Sequence, residues 1–149
     1  MKSARLAVLS LPLLLSGVMP AHAAPISWAG IYEETRGSSD CRTTSNCVVR
    51  FSPVPIGKTF LVTDVACEIS WKNKNAAIKQ FIIVPDSSPS RRTALSGLTK
   101  MTSQVYQSND RILKGVVSGE RPLVAVTLTE AAETISMNCS IAGTLHVLQ

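Results

Sequence analysis

The sequence predicts an all-β fold: a single antiparallel β-sandwich, jelly-roll-like, tied by two disulfides. Three observations point there. Residues 53–71 alternate strictly, with Leu61, Thr63, Val65, Cys67, Ile69 and Trp71 on one face and Asp64, Glu68 and Ser70 on the other, the pattern of a half-buried strand. Several other short apolar or β-branched runs are separated by turn signals, and no useful helical period occurs. Four cysteines, an even number, all lie beyond residue 40.

The chain opens like an export signal. Lys2 and Arg5 precede an apolar run over residues 6–15, and Ala21-His22-Ala23 offers the small residues that a signal peptidase reads, so cleavage is expected after Ala23. Pro12 breaks the run, which is shorter than the roughly 20 residues of a spanning helix. No transmembrane segment is expected in residues 24–149, which are of a size for one domain. The expected site of action is periplasmic or extracellular. Those residues carry 13 basic and 10 acidic side chains, a formal charge of +3. Such a small excess does not suggest a nucleic-acid partner, which calls for a clustered basic face.

Residues 24–40 begin with Ile26, Trp28, Ile31 and Tyr32 and turn polar from Glu33 and Glu34, so a short strand and then a loop are expected. Cys41 and Cys47 enclose a polar stretch, Arg-Thr-Thr-Ser-Asn, expected as a loop leading into a strand over residues 47–51. The closeness of these two cysteines favours a Cys41–Cys47 bridge. That leaves Cys67 for Cys139, which shares an apolar face with Ile135, Met137, Ile141, Leu145 and Val147. In a chain-entropy account the long bridge stabilises by roughly 4 kcal/mol and the short one by roughly 2 to 3. Reduced thiols gathered on a metal are disfavoured, because no C-x-x-C pair is present.

Lys72-Asn73-Lys74-Asn75 is a polar turn after the long strand, and residues 78–84 form a buried strand closed by Pro85. A Ser, Pro and Arg loop follows over residues 86–92. Residues 93–109 are expected to hold short strands near 94–98 and 104–107. Strands are expected over 111–117 and 123–128, with a last one from about Thr134 to Leu148 in which Gly143 marks a bulge or bend.

The stretch Cys41-x5-Cys47-Val-Val-Arg-Phe, followed by Val54-Pro55-Ile56-Gly57-Lys58-Thr59-Phe60-Leu61-Val62, resembles a motif of small exported bacterial β-rich proteins. In those proteins a cysteine loop leads into a VPAGK-LVIE-V strand. The run from Cys139 to Leu145 is similar to their closing strand, and Ile56 stands where that pattern has Ala. The resemblance implies a β-rich fold and brings no catalytic residue with it.

Catalytic signatures are absent: no G-x-S-x-G, H-E-x-x-H or glycine-rich phosphate loop occurs. His146 is the one histidine after residue 23 and is expected at the surface. Asp64 and Glu68 share a strand face but stand roughly 13 Å apart, too far for the paired carboxyls of a glycosidase. Asp40, Asp86 and Asp110 are expected in loops. Neither a cofactor nor a metal is expected. Lys72, Lys74, Arg91 and Arg92 form a candidate basic rim for an anionic ligand, provided their two loops share one end of the fold. Trp71 is expected in the core beside Cys67, and Trp28 is free of such a constraint.

The reading is therefore an exported, non-enzymatic binding or structural module whose partner is an acidic glycan, another envelope component or a protein. The alternatives are an inhibitor of a secreted hydrolase, presenting residues 42–46, and a hydrolase with a cryptic carboxylate site.

Overall fold

A computed structural model describes residues 25–38, 41–102 and 104–148. The expected signal segment and Asp40 lie outside the described residues. Among the described residues nine strands occur: β1 (Ile26–Trp28), β2 (Ile31–Gly37), β3 (Arg42–Arg50), β4 (Lys58–Trp71), β5 (Ile78–Pro85), β6 (Thr93–Ala94), β7 (Leu98–Thr102), β8 (Val105–Val116) and β9 (Pro122–Val147). Among the described residues there is no helix, and so none long and apolar enough to cross a membrane.

All nine strands join one antiparallel sheet with β9 as its hub. The first part of β9 pairs with β3 on one side and β5 on the other, through Val126 opposite Cys47 and Phe81. Its second part pairs with β2 and β4, and the sheet continues through β8 to β7. Inward side chains from both parts, among them Val49, Ile83 and Val124 from one and Val65, Ile69 and Met137 from the other, gather in a single core. The expected separate strands over 123–128 and 134–148 are thus one continuous strand. Its polar middle, Thr129 to Glu133, reads as a break in sequence but is hydrogen-bonded through Thr129 to Ala77 and through Glu133 to Lys72.

Both expected bridges are present, Cys41–Cys47 and Cys67–Cys139. The long one joins directly opposed residues of β4 and β9, with Cα atoms 4.1 Å apart. Two disulfides suit an oxidising, exported environment.

Four local expectations are corrected. The alternation of the long strand does not run unbroken, because a bulge between Val62 and Asp64 adds Thr63 opposite the Gly143–Ala142 step of β9. Phe60 and Val62 are therefore buried on its near side and Val65, Cys67, Ile69 and Trp71 on its far side, while Leu61 and Thr63 are only half-buried. Glu33 and Glu34 do not begin a loop, since β2 continues to Gly37 along β9. Residues 42–46 are not a loop either: they begin β3, opposite Thr134 to Thr127 of β9, with a register shift between Thr44 and Asn46. Asp110 lies within β8, where it is buried.

Trp71 is in the core as expected, stacked on Tyr106 at 5.2 Å between ring centroids. Its indole N–H donates to the carbonyls of Asn73 and Ala76, which satisfies its one polar atom and closes the turn after β4. His146 is exposed and hydrogen-bonded to Thr144.

Candidate functional site

The residues that alternate outward on the central strands line an open recess of about 600 Å³. β9 contributes Asn138 and Ser140, β4 Ala66 and Glu68, and β8 Gln107 and Asn109. One wall comes from Gly97, Thr99 and Met101, at and just before the edge strand β7. Register brings Asn138, Glu68, Gln107 and Thr99 into a row across four neighbouring strands. With strands about 4.8 Å apart, that row is roughly 14 Å long. The next row, Ser140, Ala66 and Asn109, is lowered at its centre by the small Ala66.

The row has a definite chemistry. Glu68 offers only acceptors when ionised, and the carboxamides of Asn138 and Gln107 on either side offer donors and acceptors together. Hydroxyls at Thr99 and Ser140 extend the set, and exposed Met101 supplies an apolar contact. Such a row suits a ligand rich in hydroxyl groups. Among the described residues Glu68 is the one carboxylate lining it. Asp64, on the same strand, is instead 3.8 Å from the guanidinium of Arg111. Among the described residues no group of three or more His, Cys, Asp or Glu side chains is placed to hold a metal ion.

Among the described residues three carboxylates are buried: Asp110, which accepts from the amides of Ser96 and Gly97, and Glu34 and Glu120, which brace the fold. Glu34 accepts from the Tyr32 hydroxyl at 2.5 Å, from Arg36 Nε at 2.5 Å, and from both the amide and the hydroxyl of Ser52 at 2.9 Å. Burial pushes its carboxyl up, but the Tyr32, Ser52 and Arg36 donors outweigh that and hold it below 4.5. The Tyr32 hydroxyl is pushed up in turn by burial and by Glu34. Glu120, in the turn before β9, accepts from Ser87, Ser88, Arg91 and the Val117 amide. Burial again raises its carboxyl, and Ser87, Val117 and Arg91 bring it below 4.5.

Stability contributed by Glu34 and Glu120 is complete above the ordinary carboxyl value of 4.5 and is lost as pH falls below it through their folded values. An acid titration of the unfolding midpoint should therefore fall steeply below about pH 4.5. Glu34→Ala removes the shared acceptor of three side chains and one backbone amide, and is expected to cost about 3 to 5 kcal/mol in a denaturant melt. A wild-type midpoint for that variant would mean that Glu34 is solvated.

The candidate basic residues are divided between two ends of the molecule. Lys72 follows the Trp71 end of β4, where its backbone pairs with Glu133 and Thr134, and exposed Lys74 lies in the same turn. Arg91 is at the other end, donating to the carbonyl of Gly115 at 2.9 Å and paired with Glu120, and Arg92 follows it. Since Gly115 is opposite Leu61, the two groups are separated by most of β4, roughly 30 Å. They do not form one rim. Residues 42–46, expected to present an inhibitory loop, are held in β3.

The recess residues carried only a partial signal in sequence. Alternation already turns Glu68 outward, but nothing in the chain pairs it with Gln107 and Asn138, which are 39 and 70 positions away. Glu34 carried none, because a carboxylate among polar neighbours reads as solvated until Ser52 is known to reach it.

No protein-family model and no curated protein matches the chain. Among solved structures, a chain of the cyanophage Pam1 capsid asymmetric unit is similar, at 18% identity over 93% of this chain and 100% of that one, with a TM-score of 0.48.

Proposed function

We propose that the protein is an exported, non-enzymatic binding module that holds a hydroxyl-rich ligand, a glycan segment of the envelope or its surroundings, in the recess across β9, β4, β8 and β7. The observation that carries this reading is the row Asn138, Glu68, Gln107 and Thr99, four polar side chains brought side by side from four strands. A carboxylate between two carboxamides matches neighbouring hydroxyls, each of which can donate to one group and accept from another. The negative Glu68 favours neutral over acidic glycans, and exposed Lys72 and Arg91 are not part of the recess. Among the described residues a single carboxylate lines the recess, which supports binding over glycoside hydrolysis, since most families of glycosidase need two carboxyls flanking the scissile bond.

Binding of soluble neutral and acidic glycan fragments can be followed by calorimetry and by amide chemical-shift perturbation. Glu68→Ala is expected to weaken binding of the neutral fragments by roughly 10- to 100-fold, the range for a hydrogen bond to a charged group. Gln107→Ala and Asn138→Ala should each weaken it up to about tenfold. All three side chains are exposed, so the unfolding midpoint should hardly move. The reading fails if no fragment perturbs the amides of Glu68, Gln107 or Asn138.

A further inference from the structure

Among the described residues, eight large apolar side chains are exposed, and six of them lie at the Lys58 end of β4: Trp28, Ile31, Ile56, Val117, Val147 and Leu148. They come from four separate segments that hydrogen bonds gather together. Leu145 donates to the carbonyl of Gly30 in the β1–β2 turn, Leu148 to the carbonyl of Gly57, and Gly57 to the hydroxyl of Ser118 in the β8–β9 turn. Ile56, at 86% exposure, stands at the apex of one turn, and Trp28, at 77%, beside another.

The same end is positively charged. Arg50, Lys58, Arg91, Arg92 and Arg121 are all at least partly exposed there, Arg50 in register with Leu123 and Lys58 with Val147. The two carboxylates among them are already engaged: Glu120 is buried against Arg91, and Asp86 accepts from the Arg121 amide. Apolar side chains and cations exposed at one end have the chemistry of a peripheral contact with anionic lipid.

We propose that the Lys58 end docks on an anionic lipid surface, with Ile56, Trp28 and Leu148 entering the headgroup region and the arginines facing lipid phosphates. A second copy of the chain fits this end poorly, because a two-fold pairing would set the cations of one copy against those of the other. A folded protein partner fits less well than lipid, since the apolar groups come from four separate segments and share this end with five cations. Docked this way, the recess on the outer face of the sheet stays open.

Partition of the purified exported protein onto vesicles tests the proposal, with phosphatidylglycerol mixed into phosphatidylcholine in one set and phosphatidylcholine alone in the other. Trp71 is 4% exposed, so a blue shift of tryptophan emission on binding reports Trp28. Co-sedimentation and the blue shift are expected with the anionic vesicles and should weaken with salt. Ile56→Ser should lower the partition coefficient about tenfold and Arg92→Gln about fivefold. Met101→Ser, which alters the recess, should leave partition unchanged, so this proposal and the glycan reading fail separately. The proposal is overturned by absence of binding to the anionic vesicles, by wild-type partition of Ile56→Ser, or by a dimer in sedimentation that Ile56→Ser converts to monomer.

Discussion

Replacing Gly143 with alanine is expected to destabilise the protein by about 4 kcal/mol or more, enough to leave a marginal domain largely unfolded. A Cβ at this position would lie 2.0 Å from the carbonyl oxygen of Leu61 and 2.9 Å from Phe60 Cε2. The first of these is backbone held in the sheet, so no rotamer change relieves it. The clash follows from the bulge: with Thr63 inserted in β4, the two strands close on one another where Val62 faces Gly143. The Tyr32 ring from β2 and the Phe60 ring from β4 meet on either side of Gly143 at 4.7 Å between centroids and cover its bare backbone. Tyr32 in turn donates to Glu34, so a displaced Gly143 also disturbs the buried carboxylate. Gly115→Ala is the control, because an added Cβ there meets nothing within 4 Å, and it should shift stability by less than about 0.5 kcal/mol. Urea melts of the two variants check both expectations, and equal midpoints would rule out the close approach.

The bulge also marks where sequence reasoning stopped working. Alternation assigned the faces of Val65, Cys67, Ile69 and Trp71, because beyond Asp64 the strand is regular. Before that point the same rule put Leu61 and Thr63 inward, where Phe60 and Val62 belong, because one inserted residue reverses every face that precedes it. Gly143 was the visible sign of irregularity, but it lies in the partner strand, 80 positions from Thr63. The polar part of β2, from Glu33 on, and the first half of β3 were missed for a related reason. Thr35, Arg36, Arg42 and Thr43 are polar, and what makes them strand is the neighbouring backbone of β9, which local propensity does not record. The disulfide pairing was legible because two independent signals agreed, the short spacing of Cys41 and Cys47 and the apolar faces shared by Cys67 and Cys139. The recess and the lipid-facing end were not legible, since each joins residues from three or more segments whose order in the sheet only the structure supplies.

Removing the Cys67–Cys139 bridge, by Ser at both positions, is expected to lower stability by about 4 kcal/mol, against about 2 to 3 for the Cys41–Cys47 bridge. The bridges close segments separated by 72 and 6 positions, and the longer loop loses more freedom in the unfolded chain when it is tied. Single replacement of Cys67 should leave one free thiol, at the buried Cys139, with Cys41 and Cys47 still bridged; labelling in denaturant without reductant should find Cys139 alone, and labelling at Cys47 would contradict the pairing. The long bridge has a second consequence at the recess. Glu68 opposite Asn138 is the register pair next to Cys67 opposite Cys139, and its side chains point to the other face of the sheet. A slip of one residue between β4 and β9 would turn Asn138 inward and dissolve the polar row, and the bridge forbids that slip covalently. Glycan affinity of the doubly substituted protein should therefore fall even at temperatures where its strand content, followed by far-UV circular dichroism, is intact. Unchanged affinity would mean that the hydrogen bonds of β4 and β9 hold Glu68 beside Asn138 without the disulfide.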